Sequence, residues 1–154
     1  MITVVQRVRY ARVLVDGECV GSIGKGLLLF VGVEHGDSEA DADETARKVR
    51  NLRVFPDKKP TDLSVEDIDG GCLVVSQFTL AAELRQGNRP DFTAAAAPTL
   101  AEPMYERVAT QLRDAGLTVA TGRFAADMTV ELSNDGPITL LLKVRNGKVV
   151  ARAN

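Results

Sequence analysis

The sequence predicts an α+β fold in which mixed or antiparallel β-sheet is accompanied by two helices. Three observations carry this expectation. Apolar runs with strand-like patterning recur from Ile2 to Val144, punctuated by Gly, Asn, Asp and Pro. Two segments show a helical period of apolar residues. The order of elements is neither strict strand–helix alternation nor all strand, and each half of the chain has strands flanking one helix.

From the N-terminus, Ile2 to Arg9 reads as a strand with a Val-rich face. Ala11 to Val15 and Glu18 to Ile23 flank Asp16-Gly17, a dipeptide that favours the backbone of a tight hairpin. Gly26 to Val33 is continuously apolar, the pattern of a buried central strand. Ser38-Glu39-Ala40-Asp41 opens the first helix as a capping box, with Asp in place of the usual Glu or Gln. Ala42, Ala46, Val49 and Leu52 share one face of it, and Pro56 is expected to end the pattern. Pro56 to Asp69 is polar and loop-like. After Gly70-Gly71, the run Leu73 to Leu80 begins as an apolar, β-branched strand and ends in polar residues. A loop from Ala81 to Pro98 leads to a second helix, Thr99 to Ala115. Leu100, Met104, Val108 and Leu112 form its stripe, and Gly116 is a natural cap. Strands follow over Leu117 to Thr121, Met128 to Ser133 and Ile138 to Val144. Asn146-Gly147 marks a last hairpin into a short tail.

With 154 residues the chain is expected to be one domain, 1–154. Hydrophobic residues make up 45% and charged residues 26%, enough for a sizeable core and a polar surface. No apolar run approaches the roughly 18 residues of a membrane span. The N-terminus alternates like a strand and lacks the layout of a signal peptide, so a cytoplasmic location without membrane contact is expected. Cys19 and Cys72 have no metal-ligand spacing and read as separate thiols. The formal net charge of −2 disfavours tracking along a nucleic-acid backbone, DNA included, but is compatible with gripping the end of an RNA. Local positive charge stands at Lys58-Lys59, Arg85 and Arg89, and Lys58 and Lys59 read as solvated charge. For Arg89, in the loop Gly87-Asn88-Arg89-Pro90-Asp91-Phe92, a surface role and a binding role stand level.

Several chemistries lack parts. The one histidine, His35, falls in a loop among acidic residues. No His, Cys, Asp or Glu cluster has metal-ligand spacing, and no phosphate-binding glycine loop opens a helix. No metal and no cofactor are expected. Two segments do suggest a site. The first is Asn134-Asp135-Gly136-Pro137-Ile138-Thr139, between two expected strands. Proline cannot donate to a sheet ladder, and the preceding glycine removes side-chain constraint. It reads either as a plain turn or as a rigid backbone recognition element. The second is Ser76-Gln77-Phe78-Thr79, which places hydroxyl and amide groups at a buried strand's exit, where sites are commonly built.

Taken together, Ser76-Gln77-Phe78-Thr79-Leu80, the Arg89-Pro90-Asp91-Phe92 loop and the Asn134 to Thr139 segment resemble the D-aminoacyl-tRNA deacylase family. Further matches are Gln6-Arg7-Val8, Gly24-Lys25-Gly26-Leu27-Leu28 and Ala46-Arg47-Lys48-Val49-Arg50-Asn51-Leu52-Arg53. So are Glu102-Pro103-Met104-Tyr105-Glu106 and Thr121-Gly122-Arg123-Phe124-Ala125-Ala126-Asp127-Met128. The likeness runs from Met1 to about Val144. Departures are Ala81-Ala82-Glu83 where the family often has an aromatic and an Asp, Asp91 for a frequent Ser, and Ala125 for a frequent Gly. The tail beyond Val144 matches no pattern.

The resemblance implies a homodimeric hydrolase with its active site at the subunit interface. Its substrate would be the aminoacylated 3′ end of tRNA. Thr79, Gln77, Ser76 and Phe78 are then the catalytic candidates. Phe78 reads as core by its side chain, but its backbone N–H and that of Thr79 could hold an oxyanion. The Thr79 hydroxyl could attack only with a base, and none is evident, so it is expected to position substrate. Gly136, Pro137, Asn134, Thr139 and Arg89 are the substrate-binding candidates. Gly136-Pro137 would receive the substrate ammonium and reject L-residues by clash. Glycyl-tRNA would escape that rejection. Two other readings stay open: a non-catalytic small-ligand-binding dimer, and a D-amino-acid ester or amide hydrolase without RNA.

Overall fold

The computed structural model describes residues 1–85 and 87–151. Gln86 and residues 152–154 of the expected domain lie outside them. Among the described residues seven strands and two helices follow in the order β1 (Ile2–Val15), β2 (Glu18–Ile23), β3 (Gly26–Gly32), α1 (Glu39–Asn51), β4 (Gly71–Ser76), α2 (Pro98–Asp114), β5 (Thr118–Thr121), β6 (Thr129–Arg145) and β7 (Lys148–Val149). The strands form one sheet in the spatial order β5-β4-β3-β1-β6-β7, with β2 paired to β1. β1 runs antiparallel to β2, β3 and β6, while β3, β4 and β5 are parallel. The fold is therefore α+β with a mixed sheet, as expected.

Where one face of the sheet meets α1 and α2, Val5, Leu27, Leu29, Val31, Cys72 and Val74 pack against Ala42, Ala46, Val49, Met104, Tyr105, Val108 and Leu112. A second core of Val8, Ala11, Val13, Val15, Ile23, Leu28, Leu73 and Val75 fills the other side of the curled sheet. β3 thus supplies side chains to both cores, which is why its sequence is continuously apolar. Fully burying each such aliphatic side chain contributes about 1.5–3 kcal/mol.

The capping box is present: the Asp41 carboxylate accepts from the Ser38 amide at 2.8 Å and its hydroxyl at 3.0 Å. It also accepts from the Gly147 amide at 2.8 Å, tying α1 to the Asn146-Gly147 hairpin. Burial pushes the Asp41 carboxyl upward, but these hydrogen bonds outweigh it and hold the group below its ordinary range. Both hairpin turns adopt positive φ, at Asp16 and Gly17 and at Asn146 and Gly147. At the start of β1, the Met1 ammonium donates to Asp37 at 2.6 Å and to the Val144 carbonyl at 2.8 Å. Cys19 is exposed and Cys72 buried, both as free thiols.

Five boundaries differ from the sequence reading. β1 passes through Tyr10 as one strand, because register shifts against β6 absorb the break in its pattern. α1 stops at Asn51, ahead of Pro56, and Val54 and Phe55 turn inward to pair with Leu63. β4 ends at Ser76 rather than continuing to Leu80, and a single 3-10 turn, Phe78–Ala81, follows. Leu100 is 37% exposed in the first turn of α2, so the buried stripe begins at Ala101 and Met104. The fifth concerns the two strands expected on either side of Gly136-Pro137, which form one, β6. Val8 faces Asn134 and Gln6 faces Thr139, so residues 135–138 stand opposite the single residue Arg7 as a large bulge. A bulge accommodates the proline because its residues need not donate to the ladder.

Candidate functional site

Two pieces of backbone define the candidate site, and the single chain keeps them apart. The first is the exit of β4. Ser76 pairs in register with Val31, and the Gln77 amide donates to the Val31 carbonyl at 2.8 Å as the last rung. The chain then turns sharply against β3 at Gly32. A Cβ there would lie 2.9 Å from the Gln77 carbonyl oxygen and 2.9 Å from the Leu80 Cβ, so only glycine allows this approach. In the 3-10 turn, the amides of Leu80 and Ala82 return to the carbonyls of Gln77 and Thr79. The amides of Phe78 and Thr79 make no backbone hydrogen bond among the described residues. These are the unsatisfied N–H groups that any helical turn leaves at its start.

Beside this turn lies a cavity of about 680 Å³. Val31, Val33, Val75, Ser76, Gln77 and Phe78 form one part of its wall. Phe92, Ala95 to Pro98, Tyr105, Phe124 and Met128 contribute to the rest. The turn swings Phe78 outward, where it is 56% exposed and meets Phe92 edge-on with centroids 5.2 Å apart. Its side chain is wall, not core, which corrects the sequence reading. Thr79 is exposed and outside the cavity lining, and its hydroxyl accepts from the side-chain Nε2 of Gln77. Tyr105 and Asp127 are the titratable side chains of the described lining. Burial raises the Tyr105 phenol above its ordinary value, so it stays neutral. His35 is exposed in its loop and is absent from that lining. Arg89 is exposed at the loop tip and likewise absent from the lining.

The second piece is the bulge in β6. Its base is clamped by side chains: Asn134 accepts from the Ile138 amide at 3.0 Å and donates to the Thr139 hydroxyl at 2.9 Å. Gln6 donates to the same hydroxyl at 3.1 Å. At its crest Gly136-Pro137 is a cis peptide, exposed, with Gly136 at φ +129°. Neither residue lines the cavity of its own chain. Beneath them lies Arg7, only 8% exposed. Its guanidinium donates to the Val54 carbonyl and, at 2.9 Å, to the Asp135 carbonyl.

Arg7 carried no role in the sequence reading, although a charge at an inward position of an apolar strand was a usable signal. The cavity wall from Phe92 to Pro98 gave none, because alanines in a loop have no pattern. Ala125 sits at φ +59°, a backbone that glycine adopts freely, which accounts for the difference noted at that position.

The family described as D-Tyr-tRNA(Tyr) deacylase matches residues 4–143. The D-aminoacyl-tRNA deacylase of Acidovorax ebreus (strain TPSY) is 54% identical over 153 residues, spanning 96% of this chain and 100% of the relative. That of Syntrophotalea carbinolica is 55% identical over 143 residues, spanning 92% and 96%. A solved structure titled c-Myc DNA Unwinding Element Binding Protein superposes with a TM-score of 0.88 at 40% identity, over 94% of this chain and 99% of that one. Another, titled as a probable eukaryotic D-amino acid tRNA deacylase, shares the fold with a TM-score of 0.78 at 15% identity, over 91% and 97%.

Proposed function

The chain belongs to the D-Tyr-tRNA(Tyr) deacylase family, and from that premise we infer that it hydrolyses the ester of D-aminoacyl-tRNA, releasing the free D-amino acid and tRNA. The observation that carries the reading is the strand exit, where Phe78 lines a largely apolar cavity and the N–H groups of Phe78 and Thr79 make no backbone hydrogen bond among the described residues.

The chemistry asks for little more. An aminoacyl ester is already activated. The amides of Phe78 and Thr79 receive the carbonyl oxygen as it gains negative charge, and one such donor is worth about 2.7–4 kcal/mol of barrier. The Thr79 hydroxyl, tethered by Gln77 and without a base beside it, orients the substrate. Water, assisted by the adjacent ribose hydroxyl, adds to the carbonyl carbon. The ester C–O bond then breaks, and the proton lost by water ends on the departing ribose oxygen. Ser76 and Gln77 shape the polar side of the cavity, and Arg89 meets the RNA beyond it.

Gly136 and Pro137 belong to this site in a homodimer, in which each chain lends them to its partner's cavity. Two features support this: the crest is exposed, and it is missing from its own chain's cavity. Its carbonyls accept from the substrate ammonium. Its backbone leaves room beside the α-carbon on one side only, so an L-side chain clashes and a D-side chain points away. Glycine has no side chain to exclude, so glycyl-tRNA is also cleaved. Asn134 and Thr139 serve the substrate indirectly, by fixing the bulge. No cofactor or metal takes part.

Among the described residues no helix is long and apolar enough to cross a membrane, and we place the enzyme in the cytoplasm. The solved structure titled c-Myc DNA Unwinding Element Binding Protein suggests a DNA partner, which the net charge of −2 disfavours here. The deciding experiment is hydrolysis of matched D- and L-aminoacyl-tRNA. Fast cleavage of the D-form alone is expected, and equal rates would defeat the chirality argument. Inhibition by uncharged tRNA separates this enzyme from a small-ester hydrolase without RNA. Turnover separates it from a ligand-binding dimer.

A further inference from the structure

A second, polar cleft of about 510 Å³ lies against the cavity, and the two share Tyr105 and Phe124 as a common wall. Glu102, Glu106, Thr110 and Arg113 line it from α2, and Thr121 and Arg123 from the end of β5 and the turn after it. The α2 residues recur at helical spacing, so they form one stripe along the cleft. At 1.5 Å rise per residue, Glu102 and Arg113 are separated by roughly 16 Å along the helix axis. The cleft is acidic at one end of this stripe and basic at the other.

Among the described residues four arginines make no ion pair, Arg53, Arg89, Arg113 and Arg123, and the last two share this cleft. Arg7, Arg9, Arg12, Arg47, Arg50, Arg85, Arg107 and Arg145 are each within 4.0 Å of a carboxylate. Arg113 and Arg123 make no ion pair among the described residues, although two glutamates line the same cleft. Both are exposed and leave their donors free.

We propose that this cleft binds the nucleotide that precedes the terminal adenosine of the RNA substrate, a reading that rests on the function inferred above. A guanidinium pairs with phosphate through two parallel N–H donors, and Arg113 and Arg123 supply that fork. The Thr110 and Thr121 hydroxyls suit phosphate or ribose oxygens. At the acidic end, Glu102 and Glu106 accept from an exocyclic amine, the donor that cytosine presents. A strand whose last residue occupies the cavity crosses the Tyr105–Phe124 wall into this cleft. Those rings, with centroids 6.1 Å apart, form the boundary between the two chambers. The net charge of −2 is no obstacle, since the site needs only two local cations.

The test compares two substrates on Arg113→Gln/Arg123→Gln and on the charge-reversed Arg113→Glu/Arg123→Glu. One substrate is D-aminoacyl-tRNA and the other is the D-aminoacyl ester of adenosine alone. The ratio of their KM values is expected to rise at least about tenfold in the Gln variant and further in the Glu variant. The slope of log KM for tRNA against log salt should flatten by about 1.4, two single-strand phosphate contacts. A KM ratio and salt slope equal to wild type would overturn the proposal. So would recovery of the wild-type ratio when inorganic phosphate is added, since that marks a free-anion site. Titration of uncharged tRNA onto the same variants reads the cleft without catalysis, and undiminished binding would also overturn it. Wild type that cleaves neither substrate would refute the hydrolase reading and leave this titration decisive.

Discussion

Gly136→Ala tests the role proposed for the bulge most directly. At φ +129° an L-residue occupies sparsely populated backbone, at about 1–3 kcal/mol. The added Cβ would lie 2.6 Å from the Arg7 Nη2 and 3.3 Å from the Ile138 amide nitrogen and its Cγ1. Arg7 must then give way. Its hydrogen bonds to the Val54 and Asp135 carbonyls anchor it, and leaving one buried partner unpaired costs about 1–3 kcal/mol. The total is about 2–6 kcal/mol, shared between distortion of the bulge and loss of its anchor. Because the crest is exposed, the bulge itself is expected to absorb most of this. Tm should fall by several degrees, while kcat/KM on D-aminoacyl-tRNA should fall by about 30-fold or more, at roughly 1.4 kcal/mol per factor of ten. The measurements are thermal unfolding and steady-state deacylation of D-, L- and glycyl-tRNA. Unchanged kcat/KM and unchanged D-over-L preference, in a variant shown to be folded, would refute the placement of Gly136 at the substrate.

Four further outcomes follow from the same geometry. Mixing Gly136→Ala with Ala97→Trp, which blocks the cavity from an exposed lining position, should restore about a quarter of wild-type activity if the dimer shares its sites; no restoration means each chain uses its own. Thr79→Ala should keep measurable turnover, since the Phe78 and Thr79 amides survive the change, and a covalent aminoacyl adduct on Thr79 trapped by mass spectrometry would contradict the positioning role. Asp41 has a folded-state pKa held below the unfolded value of about 3.9, so its stabilisation is complete above about pH 5 and lost as pH falls through the folded value. Asp41→Asn should therefore lower Tm at pH 7, and the gap to wild type should close below about pH 4; a gap independent of pH would contradict this. Treatment with EDTA should leave deacylation unchanged, and loss that zinc restores would reveal a metal site.

Much of the fold was legible because each element obeyed a local rule. Asp16-Gly17 and Asn146-Gly147 announced hairpins, Ser38 and Asp41 announced a helix start, and Gly26 to Gly32 announced a strand that feeds two cores. The misreadings share one cause, which is pairing across the sheet. Nothing local to Asn134–Thr139 says that β1 will hold both flanks in register and let one residue face four. Phe78 looked like core because apolar alternation was extended past Ser76, where the close approach at Gly32 instead turns the chain. The site was legible as two motifs and illegible as a place. Within one chain the two motifs lie apart, and the wall of the cavity beside the first is made of alanines and side chains distant in sequence.

β6 also works as a ruler. Val130 touches the cavity, Leu132 packs against the second core and Asn134 clamps the bulge, all on one strand. Side chains alternate along it, so inserting or deleting one residue between Val130 and Asn134 would turn every later position to the opposite face. The cavity and the crest are therefore locked in phase. The residues along this stretch can be exchanged, but their number is fixed. Any redesign that reshapes the pocket must do so by substitution, because a change of length would misplace Gly136 before it altered the pocket.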